Sequence, residues 1–98
     1  MSQPKEELVL DRLIHEPGRL AILTVLSSVR DADFVFLQRA TGLTKGNLST
    51  HLGKLEQTGY VEVEKRFRGK IPQTFYRLTK AGRRAFEQYR QAMRAALS

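Results

Sequence analysis

The 98-residue sequence has no cysteine and no tryptophan, only three prolines, and no long apolar run. Without cysteine there can be no disulfide staple, thiolate metal site or thiol redox switch. No stretch approaches the roughly 18 consecutive apolar residues of a membrane span. The polar start, Met1 to Lys5, lacks the apolar segment of a signal peptide. A soluble, cytoplasmic protein with no membrane partner is the expectation. The acidic residues are scattered, and there is no glycine-rich phosphate loop, nucleophile elbow or cluster of metal ligands. Neither enzymatic activity, a metal nor a cofactor is therefore expected. The length suits a single domain over residues 1–98, since domains typically hold roughly 100–200 residues. A separate ligand-binding domain is not expected.

The charge that is present is unevenly placed. Seventeen Lys and Arg against ten Asp and Glu give a formal net charge of +7. Residues 1–43 carry five basic and six acidic side chains, whereas residues 44–98 carry twelve basic and four acidic. Such asymmetry points to a polyanion contacted by the second half. Nucleic acid and an anionic membrane both satisfy charge alone.

Apolar spacing predicts mainly α structure with one β-hairpin. Leu8, Leu10, Leu13 and Ile14 suggest a short first helix over roughly residues 5–15. Pro17 suits the first turn of a second helix, where a missing N–H costs nothing. Leu20, Leu23, Leu26 and Val29 leave that helix little polar face, so it belongs at the centre. Asp31 and Asp33 offer N-cap oxygens before a two-turn helix with Phe34, Leu37 and Ala40. Thr41-Gly42 ends it, and Thr44 caps the next helix, which runs to about Thr58 and stops at Gly59. Two helices joined by so tight a turn form a helix-turn-helix. From Tyr60 the period becomes two: Val61, Val63 and Phe67 alternate with charged residues, as in a half-buried strand. Residues 68–72 signal a turn, Gln73 to Leu78 form the return strand, and Thr79 caps a last helix over residues 79–97. The fold class is a winged helix-turn-helix with N- and C-terminal flanking helices.

On a helical wheel of residues 44–58, Leu48, Leu52 and Leu55 share the core face. The opposite side holds Gly46, Thr50, Gly53 and Gln57, flanked by Asn47, Ser49 and Lys54. An ordinary solvated face carries Glu, Lys and Arg; this one has no large side chain over three turns. Small residues let a helix backbone come close to another surface, as a helix seated in a major groove must. Asn47 can pair with adenine and the Thr50 methyl can meet a thymine methyl. Ser49 and Lys54 suit phosphates, with Thr44, Lys45 and Gly46 at the leading end. His51 borders the leucine face, a position for a packed or phosphate-bonding histidine rather than a metal ligand.

Lys65, Arg66, Arg68 and Lys70 crowd the hairpin turn, and Gln73 follows. Taken alone, the charges describe a solubilising hairpin. Behind a helix-turn-helix they describe a wing whose tip reaches phosphates or a narrow minor groove, where Arg is favoured. The last helix bears an apolar stripe of Phe86, Tyr89, Met93 and Leu97. Either the whole stripe packs within the chain, or part of it, with Leu8 and Leu13, meets a second copy in a two-fold homodimer.

Several segments, in order, resemble a known family: Gly42-Leu43-Thr44, Leu48 to Leu52, Leu55-Glu56, Gly59-Tyr60-Val61, the basic hairpin, and Tyr76 to Gly82. Together with Pro17 to Leu23 they are similar to the small winged-helix regulators of the MarR/ArsR-like repressors. The resemblance implies a transcriptional regulator that binds a pseudo-palindromic operator in double-stranded DNA as a dimer. The 44–58 helix would lie in the major groove and the 66–72 wing on the minor groove or backbone. The cysteine metal site of the ArsR sensors has no counterpart here. The long flanking helices around the MarR ligand pocket are abbreviated, so no small-molecule effector is inferred. A winged helix that binds another protein instead of DNA is the alternative. RNA binding lacks the exposed aromatic platform used by single-strand readers.

Overall fold

The computed structural model describes residues 11–97. Its elements are α1 (Pro17–Ser27), β1 (Ala32–Asp33), α2 (Phe34–Thr41), α3 (Lys45–Thr58), β2 (Val61–Arg68), β3 (Ile71–Leu78) and α4 (Lys80–Leu97). The three strands form one antiparallel sheet in the order β1-β3-β2. Mainly helical, with a hairpin projecting from the sheet, this is the expected winged helix-turn-helix.

Local chemistry accounts for most element ends. Pro17 opens α1, where Glu16 caps by accepting the Arg19 N–H at 2.7 Å. That bond to the charged form holds the Glu16 carboxyl below its ordinary range. Asp33 caps α2 through the Phe36 N–H at 2.7 Å, and Thr44 caps α3 through the Asn47 N–H at 3.1 Å. Gly42 and Gly59 end α2 and α3 with φ of 73° and 87°, a left-handed conformation that costs glycine nothing. Of the two aspartates before α2, only Asp33 caps; Asp31 is engaged elsewhere.

The core is continuous. Ile14, Ile22, Leu23 and Leu26 pack with Leu37, the α3 leucines Leu48, Leu52 and Leu55, and Val61, Leu78, Phe86 and Tyr89. α1 therefore runs through the centre, as its lack of a polar face requires.

Four expectations need correction. The first helix, over roughly residues 5–15, falls mostly outside the described residues, and its described part, 11–15, forms turns. There the Asp11 carboxylate accepts the Leu13 N–H at 2.9 Å, a local bond that competes with helix. Secondly, a strand precedes α2: Ala32 and Asp33 pair with Tyr76 and Phe75. Thirdly, Phe67 shares a face with Val61 and Val63 but lies beyond the end of the core and is 73% exposed. The hairpin is also longer than expected, with Arg68 paired to Ile71 across a two-residue turn. Gly69, first of the two, has φ of 65°, and among the described residues only glycines have positive φ; a II′ turn has this requirement.

The start of α4 is locked to the end of α3. The Thr79 N–H donates to the Tyr60 carbonyl at 3.0 Å, and its hydroxyl donates to the Gly59 carbonyl at 2.6 Å. The same hydroxyl oxygen accepts the Gly82 N–H at 2.9 Å, capping α4. Gly82 sits so close that a Cβ there would lie 2.1 Å from the Tyr60 carbonyl oxygen.

Candidate nucleic-acid interface

α3 presents two opposed faces. Leu48, Leu52 and Leu55 are buried, while Thr44, Lys45, Gly46, Asn47, Ser49, Thr50, Gly53, Lys54 and Gln57 are exposed. Of the set singled out on this helix, all but His51 are exposed. The two glycines on it are the informative feature. Gly42, Gly59 and Gly69 are required by positive φ, and Gly18 and Gly82 by close neighbours. Gly46 and Gly53 have neither reason: nothing lies within 4 Å of a Cβ placed on them. The fold of this chain would accept alanine at both, and each costs roughly 1 kcal/mol of helix stability. The smallness of this face is therefore unexplained by the chain's own packing.

His51 is not part of that surface. It turns toward the start of α1, where a Cβ on Gly18 would lie 2.6 Å from its Nε2. Its Nδ1 lies 3.3 Å from an Arg19 guanidinium nitrogen, and its Nε2 is 3.7 Å from a Glu16 carboxylate oxygen. Arginine only donates, so Nδ1 is the acceptor, which leaves the imidazole N–H on Nε2, facing Glu16. The packed reading of this histidine is the one its surroundings support.

The wing divides into a tip and a base. At the tip, Arg68 and Lys70 are exposed beside Gly69, with Lys65 further back. These three have no ion-pair partner among the described residues. Ile71 is 65% exposed at the same tip. Arg66, by contrast, is committed: its Nη2 contacts Asp31 Oδ2 at 2.7 Å and Glu64 Oε1 at 3.0 Å. Glu64 also accepts from Arg77 Nη1 at 2.9 Å, and Glu62 lies 3.4 Å from Arg77 Nε. Hydrogen bonds from Arg66 and Arg77 hold the Glu64 carboxyl down to about 2, so it stays ionised at neutral pH. Gln73, half-buried, is the cross-strand partner of Arg66. Arg66 and Gln73, two pairs below the turn, are thus held in the wing's ladder and are not part of its free cationic tip. The Asp31 and Arg77 contacts gave no sequence signal: a two-residue strand is too short to show alternation, and ion pairing between strands depends on register.

The apolar stripe of α4 is mostly spent on the chain's own core. Phe86 and Tyr89 are buried, and the Tyr89 hydroxyl lies 2.7 Å from His15 Nδ1. Neither can serve as a dimer surface, which corrects that assignment. Leu13 and Met93 are partly buried against the same core, and Leu97 is 79% exposed. Leu8 lies outside the described residues. No described helix is long and apolar enough to cross a membrane.

An N-capped helix with a bare polar face, set behind a tight turn and beside a cationic hairpin, defines a winged helix of the nucleic-acid-binding kind. The sequence model of winged helix DNA-binding domains matches residues 19–97, and the chain belongs to that family. It is 39% identical over 79 residues to an uncharacterized protein of Methanocaldococcus jannaschii, a match covering 80% of this chain and 85% of the relative. The structure of a transcriptional regulator homologue from Pyrococcus horikoshii superposes with a TM-score of 0.83 at 29% identity, covering 89% of this chain and 86% of that one. A MarR-family transcriptional regulator of Silicibacter pomeroyi has the same fold, with a TM-score of 0.68 at 24% identity, over 86% of this chain and 56% of that one. The fold is that of MarR-like transcriptional regulators.

Proposed function

We propose that this protein is a sequence-specific transcriptional repressor that binds double-stranded DNA as a homodimer, with α3 in the major groove and the 66–72 wing on the minor groove or backbone. The observation that carries the reading is the glycine pair on the exposed face of α3. Gly46 and Gly53 weaken the helix without serving the fold, and a backbone brought close to base edges gives them a purpose. Asn47 and Thr50 read bases, while Thr44, Lys45, Ser49 and Lys54 hold phosphates at the groove edge. Arg68 and Lys70 anchor the wing, and each phosphate they neutralise releases counterions, making affinity salt-dependent.

The dimer would pair the end of α4 with the segment before α1, using Leu97 and Met93 with Leu13 and Leu8. Its two α3 helices would then sit one duplex turn apart, about 34–36 Å, on a pseudo-palindromic operator. Occupancy of such a site within a promoter represses transcription, and the protein would act in the cytoplasm, where the DNA is.

Two substitutions test the reading at α3. Gly53→Gln adds a neutral, helix-favouring side chain to open space and should stabilise the protein by about 0.5–1 kcal/mol in thermal melts. The same change should weaken operator binding at least about ten-fold by fluorescence anisotropy, because the side chain stands between helix and groove. Stability gained with affinity unchanged would show that this face does not approach DNA. Asn47→Ala should lower discrimination at one operator position by about 1–3 kcal/mol while leaving binding to random duplex nearly intact. Equal loss on both duplexes would remove Asn47 from base reading.

A further inference from the structure

We propose that Asp31 and Arg66 are positioning residues for the wing: their ion pair, laid across the sheet over Phe75, holds the hairpin at the angle from which Arg68 and Lys70 reach DNA. The inference rests on the DNA-binding reading above.

The register puts Glu62, Glu64 and Arg66 of β2 on the same face as Arg77, Phe75 and Gln73 of β3, with Asp33 of β1 beside Phe75. Arg66 stands on the far strand, yet its guanidinium reaches Asp31 at the near edge, passing 4.0 Å above the Phe75 ring centroid. It therefore reaches from β2 across β3 to the residue just before β1. The planar guanidinium suits this role, since it stacks on the ring while its edge donates to carboxylates. Glu64, between Arg66 and Arg77, accepts from the same Nη2 that donates to Asp31.

The connection matters because of where it ends. β1 stops at Asp33, opposite Phe75, so the outer half of the hairpin has no third strand. β1 also runs directly into α2, whose N-cap is Asp33. Asp31 thus belongs to the root of the helix-turn-helix and Arg66 to the wing. The pair joins the unit that carries α3 to the unit that carries the tip. Asp31 and Glu64, acids beside a DNA-binding hairpin, would otherwise oppose a polyanion; holding the wing in place accounts for their presence.

The test turns on sign. Removing an acid near DNA ordinarily tightens binding through simple electrostatics. Positioning predicts the reverse: Asp31→Ala should weaken operator binding about five-fold and flatten the salt dependence by about one phosphate contact. Asp31→Glu, which keeps the charged acceptor on a side chain one methylene longer, should restore most of the affinity. In a protein already carrying Arg68→Ala and Lys70→Ala, Asp31→Ala should have no further effect, because the tip it positions is gone. General destabilisation would not vanish on that background. Should Asp31→Ala fail to fold by circular dichroism, Asp31→Asn provides the same reading with an isosteric side chain. Unchanged or tighter binding by the Asp31 variant, or a loss that persists without the tip cations, would overturn the proposal. Failure of the unsubstituted protein to bind any duplex would instead refute the DNA-binding reading itself.

Discussion

Gly82→Ala should destabilise the fold by about 3 kcal/mol or more, near the upper end for single substitutions. The added methyl would lie 2.1 Å from the Tyr60 carbonyl oxygen and 2.8 Å from its carbonyl carbon. Those atoms are backbone, and the oxygen is held in place by the Thr79 N–H. Relief requires α4 to move off the α3–β2 junction, taking buried Phe86 and Tyr89 with it. The usual gain of alanine over glycine in a helix, about 1 kcal/mol, is smaller than that cost. For a domain whose total stability is roughly 5–15 kcal/mol, this is a large fraction. Thermal denaturation should show a midpoint lowered on the order of 10 °C or more. A midpoint within a degree or two of the unsubstituted protein would mean that the junction is looser than described.

Reversing both tip charges, Arg68→Glu with Lys70→Glu, should leave stability nearly unchanged, since both side chains are exposed and lack partners among the described residues. DNA affinity should fall on the order of 100-fold at physiological salt, because two phosphate contacts become two repulsions. The formal net charge drops from +7 to +3, yet a loss confined to long-range attraction would fade as salt rises. The wing account predicts that operator preference over random duplex also declines, since the tip fixes the register of α3. A protein-interaction winged helix would tolerate the double reversal. That module would have no duplex affinity to lose, whereas DNA affinity retained by the double variant would remove Arg68 and Lys70 from the contact.

Much of this molecule was legible in its sequence because its turns depend on single residues. Gly42, Thr44 and Gly59 mark the ends of α2 and α3, and the leucines of α3 could face only one way. The run from Leu78 to Gly82 reads as a motif, and the structure gives its physics: Thr79 bridges two carbonyls and a helix start, and Gly82 fits beneath Tyr60. What periodicity could not reveal was which surface an apolar stripe meets. Phe86 and Tyr89 have the spacing of a dimer seam, but the same spacing suits the chain's own core, and there they pack. Phe67 follows the alternation of Val61 and Val63, yet the core ends before reaching it. β1 is too short to have a pattern. The role of Arg66 depended on a partner 35 residues away, so it looked like one more cation of the wing. Of the DNA-contact set, the α3 face was readable because smallness on an exposed helix is unusual, whereas His51 was ambiguous from its position at the edge of the leucine face.

Fluorescence anisotropy on a duplex selected from a randomised pool by the unsubstituted protein, beside a shuffled duplex of equal composition and at several salt concentrations, tests the central claim most directly. Sequence-specific binding predicts at least about a thousand-fold preference for the selected duplex at physiological salt, with both affinities falling as salt rises. Selection that enriches no sequence, or equal affinity for the two duplexes at every salt concentration, would contradict it.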